Sequence, residues 1–232
     1  MPRAARVVIP GCPHHITQRG NNRQDVFFVD DDRRVYLDLL RKASERFGLD
    51  VIGYCLLTNH LHLVATPKTA DSLADALKWT HQLYAQYVNR MHGRTGHLWE
   101  GRFYSCPLDE NHYWTALIYV DRNPVRAKLV RRAWRWPWSS AAAHCGYAGG
   151  AGLLDLAAWE KALPGWDYST ALTRPQDEKT VTRLRLSTSR GRPLGSDSFI
   201  SKLERTLGRR LRALPRGRPK KHPNANPSSP TK

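Results

Sequence analysis

Residues 51–66 read VIGYCLLTNHLHLVAT, and this stretch decides the fold class. Two largely apolar runs, 51–57 and 60–66, flank the polar pair Thr58 and Asn59. Runs rich in β-branched and aromatic residues on either side of a two-residue polar turn are typical of a tight β-hairpin. The sequence therefore predicts two adjacent antiparallel strands in the first half of the chain.

Segments on both sides of the hairpin have the periodicity of strands and helices. A capping box at Ser72 is predicted to open one helix, and Pro124 is predicted to end or kink another. The order β-α-β-β-α-β-α indicates an α+β, ferredoxin-like split βαβ fold, with a central antiparallel sheet whose first and third strands are neighbours. The flanking elements are a strand at 14–18, a helix at 31–47, a helix at 72–91, a strand at 102–107 and a helix after Asp109.

The composition changes after residue 125, where tryptophan and arginine become frequent. We predict a first domain at 6–125 and a C-terminal helical or irregular extension at 126–190. A basic helix at 196–211 is predicted within a third part, 191–214, and a disordered basic tail at 215–232.

The chain carries a large excess of positive charge. Its 232 residues include 37 Lys and Arg against 20 Asp and Glu, which gives a formal net charge of +17 and a pI of about 10.2. A surplus of this size favours polyanionic partners, either nucleic acid or an anionic membrane. No run approaches the ~18 apolar residues that span a bilayer, so we expect nucleic acid and no membrane.

The cysteines and the N-terminal residues bear on location. Cys12, Cys55, Cys106 and Cys145 form no C-x-x-C pair, which favours a reduced cytoplasm over a disulfide framework. The residues MPRAAR at 1–6 lead into no long apolar segment, so a signal peptide is not expected. We therefore expect a cytoplasmic, nucleoid-associated protein.

His60 and His62 form the sharpest local motif. Residues i and i+2 of a strand share a face, so both imidazoles are expected to point the same way. Two ring nitrogens on one sheet face can hold a divalent metal and leave positions open for substrate oxygens. By itself, however, the motif is more often a solvated polar face. His14 and His15, on the neighbouring central strand, are either structural or support the metal site from behind.

Tyr119 and Asn123 lie four residues apart on the third predicted helix, so they share a face. The Asn carbonyl oxygen suits Mg²⁺ or Mn²⁺ as a third ligand, and the Tyr supplies a phenolate nucleophile. From the spacing alone, a packing tyrosine and an asparagine before Pro124 are the commoner interpretation. Tyr113 is a competing nucleophile, but it lies off the Tyr119 face and has no Asn or Gln at i+4.

Four motifs follow one another in a fixed order: HITQRGNN at 15–22, TNHLHLV at 58–64, HLWEGRFYS at 97–105 and IYVDRNPVRA at 118–127. In this order and spacing they resemble the REP-associated tyrosine transposases. That family belongs to the single-strand transposase branch of the HUH endonucleases. The resemblance extends over residues 6 to about 145, and GRPLGS at 191–196 is also similar to it.

The resemblance implies a reaction and a set of site residues within an HUH-type catalytic domain at 6–125. His60 and His62 would bind a divalent metal, Mg²⁺ or Mn²⁺, with Asn123 as the third ligand and Tyr119 as the nucleophile. Attack on a DNA phosphate would leave a 5′-phosphotyrosine and a free 3′-OH. Rejoining would need no nucleotide cofactor, and the sequence has no G-x-x-x-x-G-K-[ST] loop. The implied partner is single-stranded or hairpin DNA, bound by a monomer or a homodimer.

Basic and amide side chains are candidates for DNA contact. The loop after the first strand offers groups suited to phosphates and base edges, although an ordinary solvated turn has the same composition. The segment PRGRPKK at 215–221 resembles an AT-hook, with a generic basic tail as an equal alternative. The predicted DNA-binding residues are Arg19, Asn21, Asn22, Arg23, Arg94, Arg102, Arg126, Arg216 and Arg218.

Three functions fit these patterns. The first is a metal-dependent tyrosine strand-transferase, the second a non-catalytic hairpin-binding regulator, and the third a replication initiator or relaxase. The first function is favoured because the sequence has the histidine pair, the tyrosine and the asparagine together. A protein that has lost its catalytic activity need not keep all four. The sequence offers no helicase segment to support the third.

Overall fold

The computed structural model describes residues 6–147, 152–163, 165 and 167–212, which form a four-stranded sheet and nine α-helices. The strands are β1 His14–Arg19, β2 Leu49–Leu56, β3 His60–Pro67 and β4 Tyr104–Pro107. The helices are α1 Asp30–Phe47, α2 Ser72–Met91, α3 Glu110–Asp121, α4 Asn123–Arg126, α5 Ala141–His144, α6 Leu156–Ala162, α7 Tyr168–Thr173, α8 Glu178–Arg190 and α9 Asp197–Leu207.

The predicted hairpin forms the centre of the fold. β2 and β3 pair antiparallel, and the Leu57 N–H donates to the His60 carbonyl oxygen at 2.9 Å across the turn. The strand order is β2-β3-β1-β4, and each pairing is antiparallel. Since β1 and β3 are the central neighbours, the α+β split βαβ prediction is confirmed.

The two faces of the sheet are covered by different parts of the chain. On the first face, Leu61 and Leu63 join the apolar core that β3 forms with α1 and α2. On the opposite face, called here the second face, Val64 packs with residues of α3 and α8. Successive side chains of a strand point to opposite faces, so His60 and His62 lie on the second face.

Residues 136–140 cover the outer edge of β2. The Leu56 N–H donates to the Trp138 carbonyl oxygen at 2.8 Å, and the Ser140 N–H donates to the Tyr54 carbonyl oxygen at 2.9 Å. An uncovered edge strand offers its backbone groups to other chains. The first part of the extension therefore protects this edge of the sheet.

One capping motif and one helix end differ from the sequence prediction. α2 begins at Ser72 as predicted, but Ser72 is its first helical residue and Asp71 precedes it without a side-chain cap bond, so the predicted capping box at Ser72 is wrong. The Ser72 hydroxyl instead accepts from the Thr69 N–H at 3.0 Å, and the Ser72 N–H donates to Thr69 Oγ1 at 3.2 Å. The basic helix predicted at 196–211 ends at Leu207, because Gly208 adopts a left-handed φ of 60°.

The segment 151–190, which shows little periodicity in the sequence, contains the regular 13-residue helix α8. Asp177 caps its first turn, and Gly191 ends it with a φ of 62°. Its buried Val181 and Leu184 pack against α3 and the second face of the sheet. The sequence therefore did not predict that a helix from this segment packs against the second face of the sheet.

Some predictions are not decided by this architecture. The tail at 215–232, with Arg216 and Arg218, lies outside the described residues. The division of the chain at 6–125, 126–190 and 191–214 stays a prediction. In the part of the chain that the structure describes, no helix combines the length and apolar character needed to cross a membrane.

Candidate active site

A cavity of about 770 Å³ opens on the second face of the sheet, beside α3 and α8. His60 and His62 line it from β3, Tyr119 lines it from α3, and Asn123 lines it from α4. β3 and α3 lie close together because α3 buries its apolar side against this face of the sheet. The structure thus brings together the four residues that the sequence singled out.

A chain of buried hydrogen bonds sets the ring protons of His62. The Thr188 hydroxyl donates its hydrogen to the Leu184 carbonyl oxygen at 2.9 Å. The Thr188 oxygen therefore accepts a hydrogen bond from His15 Nδ1, which lies 2.7 Å away. His15 Nε2 is then an acceptor, and His62 Nδ1 donates to it at 3.1 Å. His62 Nε2 keeps its lone pair, because the tautomer follows from the bond that the other nitrogen makes.

His60 reaches the same state by a local contact. Its Nδ1 lies 2.6 Å from Asn59 Oδ1 and donates to it, so Nε2 keeps its lone pair. Burial lowers the pKa of His60 to about 4 and that of His15 to about 3, and it places the pKa of His62 well below its usual range. All three rings are therefore neutral near pH 7, which is the form of imidazole that binds metals.

Asn123 contributes a buried amide to the cavity. The side chain is 5% exposed, and its Nδ2 has no hydrogen-bond partner. Buried polar groups are normally satisfied, so this N–H group has capacity to donate to an oxygen of a ligand in the cavity. Two imidazole nitrogens and an amide oxygen are a donor set that suits a divalent ion such as Mg²⁺ or Mn²⁺. Glu100 also lines the cavity, and among the described residues no group of three or more His, Cys, Asp or Glu is placed to hold a metal.

Tyr119 is 2% exposed and faces the histidines. Its hydroxyl accepts a hydrogen bond from Arg185 Nε at 3.0 Å, and its ring stands at 90° to the His62 ring with centroids 5.4 Å apart. Tyr113 is not among the residues that line the cavity; it packs against Trp114, and burial raises its pKa to about 12. The geometry favours Tyr119 as the nucleophile.

Five of the predicted DNA-contact residues lie in three places on the surface near the cavity. Arg19 lines the cavity itself, and Asn21–Arg23 form a 3₁₀ turn that follows β1 directly. Within that turn Asn22 and Arg23 are exposed and have positive φ angles of 50° and 60°. Arg102 is exposed and lines a separate cleft beyond β4.

Two further predicted DNA-binding residues have partners within the protein. Arg94 donates to the Gln24 side-chain oxygen, and Arg126 pairs with Glu178 at 3.0 Å. DNA contact by either guanidinium therefore competes with these internal bonds.

Sequence reasoning missed Arg185 and Thr188, which reach the cavity from α8. The signal that was available is the cap at Asp177, the stop at Gly191 and the apolar spacing between them. That signal predicts a helix, but nothing in it indicates which face of the sheet the helix covers. The role of His15 as the partner of His62 was one of two alternatives, and the hydrogen bonds support it.

Asp121 joins the extension to α3, two residues after Tyr119. The carboxylate is fully buried and accepts hydrogen bonds from Ser140 Oγ at 2.5 Å, His144 Nδ1 at 2.7 Å and the Tyr168 hydroxyl at 2.9 Å. These donors come from the two ends of α5 and from the start of α7. The cluster therefore fixes the end of the helix that carries Tyr119.

Replacing Asp121 by Ala should destabilise the protein by about 3–5 kcal/mol, because three buried donors lose their shared acceptor. The measurement is urea unfolding followed by circular dichroism. The matched control is Asp155→Ala, which removes an exposed helix cap on Ala158 and should cost about 1 kcal/mol. Equal losses for the two variants would mean that the buried cluster does not hold α3 in place.

The split βαβ sheet with its second-face cavity is an architecture that many functions share, and comparison with known families makes the assignment. The sequence model of the IS200-like transposase family matches residues 9–123, and the chain belongs to this family. The predicted family relationship is confirmed at this level.

One solved structure supports the fold. A REP-associated tyrosine transposase bound to a REP hairpin superposes with a TM-score of 0.54 and 18% identity, over 67% of this chain and 90% of that chain. A Deinococcus radiodurans protein described as a transposase is 19% identical, with a TM-score of 0.36 over 52% of this chain and 96% of its own. A search of curated proteins found no significant match.

Proposed function

We propose that this protein is a REP-associated tyrosine transposase that cuts and rejoins folded single-stranded DNA through a covalent bond to Tyr119. The observation that carries the proposal is the shared cavity, in which the Tyr119 hydroxyl lies with two imidazoles whose Nε2 lone pairs are free and with the side chain of Asn123. A tyrosine nucleophile beside a metal-binding set is the arrangement that phosphoryl transfer by this route needs.

In the proposed reaction the Tyr119 oxygen attacks a DNA phosphorus while its proton passes to water. The bond from phosphorus to the 3′-oxygen breaks, and that oxygen takes a proton from water. The product is a 5′-phosphotyrosine and a free 3′-OH. The new ester is itself a phosphodiester, so attack by a 3′-OH reverses the step and rejoins the strand without a nucleotide cofactor.

The surrounding residues hold the reacting groups. Arg185 orients the Tyr119 oxygen through its Nε–H bond, and Arg19 adds positive charge beside the phosphate. His60, His62 and Asn123 are the proposed ligands of Mg²⁺ or Mn²⁺. When bound, such an ion neutralises charge on the phosphate oxygens and so eases nucleophilic attack.

The proposed partner is a DNA hairpin with single-stranded flanks. The solved transposase with this fold is bound to a REP hairpin, and we extend that class of partner to this chain. The net charge of +17 supports binding to a polyanion. We propose that the protein acts on this DNA in the cytoplasm, as a monomer or a homodimer.

The direct test is incubation with end-labelled single-stranded DNA that carries the hairpins flanking the protein's own gene, in Mg²⁺ or Mn²⁺. A denaturing gel should show metal-dependent cleavage and a protein-linked band on the 5′-phosphate side of the cut. Cleavage without a linked band would indicate a hydrolytic nuclease. Tight hairpin binding without cleavage would indicate the regulator instead.

Deleting residues 215–232 should weaken DNA binding but leave the cleavage step intact, because the segment carries five Lys and Arg and none of the proposed site residues. The slope of log affinity against log salt should flatten by about 0.7–0.9 for each phosphate contact that is lost. Fluorescence anisotropy across a salt series measures this slope. An unchanged slope would mean that the tail does not touch DNA.

A further inference from the structure

A second cleft, of about 380 Å³, lies beside β4 and next to the proposed active site. β4 is an edge strand, since β1 is its sheet neighbour on one side and, among the described residues, no strand of the sheet lies on the other. No Asp or Glu is among the residues that line the cleft. We call it the arginine cleft, because six arginines line it: Arg6, Arg102, Arg190, Arg192, Arg209 and Arg210.

Part of the arginine cleft is a fixed wall. Arg6 donates from Nε and Nη2 to the Phe103 carbonyl oxygen at 3.2 and 3.1 Å, and its guanidinium lies 3.8 Å from the centre of the Phe103 ring. Arg209 donates in turn to the Arg6 carbonyl oxygen at 3.1 Å. These contacts hold the two guanidinium groups in place.

The remaining arginines have unused capacity for an anion. Arg102, Arg190 and Arg210 are exposed, and within the described residues none of them forms an ion pair. Arg192 is half-buried, and its Nη1 has no hydrogen-bond partner. Positive charge gathered in a concave site without countercharge attracts anions strongly.

Tyr104 connects the arginine cleft to the proposed active site. Its side chain is 43% exposed, and it lines both the cleft and the cavity that contains Tyr119; Ser189 does the same. An exposed aromatic ring beside a basic groove is the combination that binds single strands, because bases stack on the ring while phosphates meet the cations. The cleft has the volume of a site for about one small ligand.

We propose that the arginine cleft binds the phosphates of a single-stranded DNA segment continuous with the strand in the active site, with Tyr104 stacking on one of its bases. The inference rests on the proposed function, because that function supplies the strand. It extends the substrate path onto residues 189–192 and 209–210, which lie beyond the region matched by the family model.

The test compares two double variants that remove the same charge. Arg190→Ala with Arg210→Ala changes the cleft, and Arg131→Ala with Arg174→Ala changes two exposed arginines that do not line it. Anisotropy is measured with a fluorescein-labelled 20-mer, single-stranded or as a matched duplex, in EDTA so that cleavage does not interfere. For the single strand, the cleft variant should flatten the salt slope by about 1.4, which is two phosphate contacts, and the control should flatten it far less.

Equal slope changes in the two double variants would overturn the proposal. An equal loss of duplex and single-strand binding by the cleft variant would overturn it as well, because the surface would then be a duplex site. Thermal unfolding of both variants shows that the fold is retained.

Tyr104 variants test the stacking part. Tyr104→Ala should weaken single-strand binding at least ~5-fold, and Tyr104→Phe, which keeps the ring, should restore most of it. If both variants bind like the unchanged protein, Tyr104 does not stack on a base. Because these are binding measurements, they can fail while the covalent adduct still forms. They can also succeed when no adduct is found, so this proposal and the proposed function fail separately.

Discussion

Tyr119→Phe is expected to abolish the protein–DNA adduct and to lower the cleavage rate by at least about a thousandfold, the scale seen when an enzyme loses its nucleophile. The substitution removes the hydroxyl alone. The ring keeps its contacts with His62 and His15, at centroid distances of 5.4 and 5.6 Å, so the cavity wall is retained. Water cannot replace the phenol efficiently, because it is not held in line with the phosphate.

The measurement is a denaturing gel with 5′- and 3′-labelled hairpin DNA, run beside hairpin binding by anisotropy. Binding should change little, since no positive charge is lost. The matched control is Tyr113→Phe, which removes a hydroxyl from the same helix outside the cavity and should stay largely active. An adduct that persists in Tyr119→Phe but disappears in Tyr113→Phe would reassign the nucleophile.

Combined replacement of His60 and His62 by Ala should likewise eliminate cleavage, and EDTA should do so in the unchanged protein. The variant removes two neutral nitrogens whose lone pairs are free, leaving Asn123 as a single weak ligand. Binding of Mn²⁺, followed by calorimetry or by its paramagnetic resonance signal, should be lost together with activity. This second measurement tests whether the loss of activity accompanies loss of the metal, and circular dichroism of the variant shows that the fold is retained.

His97→Ala is the control for this variant, because His97 is exposed and does not line the cavity. It should bind Mn²⁺ and cleave DNA like the unchanged protein. Full cleavage by the His60 and His62 double variant in Mg²⁺ would refute the metal assignment, whatever the calorimetry shows.

The central part of the fold could be predicted because its signals are local. The hairpin at 51–66 shows its turn and its two apolar runs within sixteen positions, and its strands occupy 49–56 and 60–67. The sharing of one face by His60 and His62 follows from the two-residue period of a strand. The shared face of Tyr119 and Asn123 follows in the same way from the helix period, and it survives the break between α3 and α4 at Arg122.

The support of the site could not be predicted, because it depends on contacts between distant residues. His15 and Thr188 are 173 positions apart, and Arg185 and Tyr119 are 66 apart. The periodicity of a helix does not indicate which other element the helix packs against in the folded protein. The Thr69–Ser72 hydrogen bonds were missed for a different reason: Ser72 is itself a good capping residue, and the sequence does not show that its hydroxyl bonds back to Thr69.

The hydrogen-bond chain behind His62 has a consequence for natural variation. Thr188 must both donate to Leu184 and accept from His15, so serine can replace it but valine cannot. His15 in turn keeps the tautomer that accepts from His62 only while the residue at 188 can accept a hydrogen bond from His15 Nδ1. Positions 15 and 188 are therefore expected to covary among related transposases: lineages that keep histidine at 15 retain a hydroxyl at 188, and lineages that lose one lose the other.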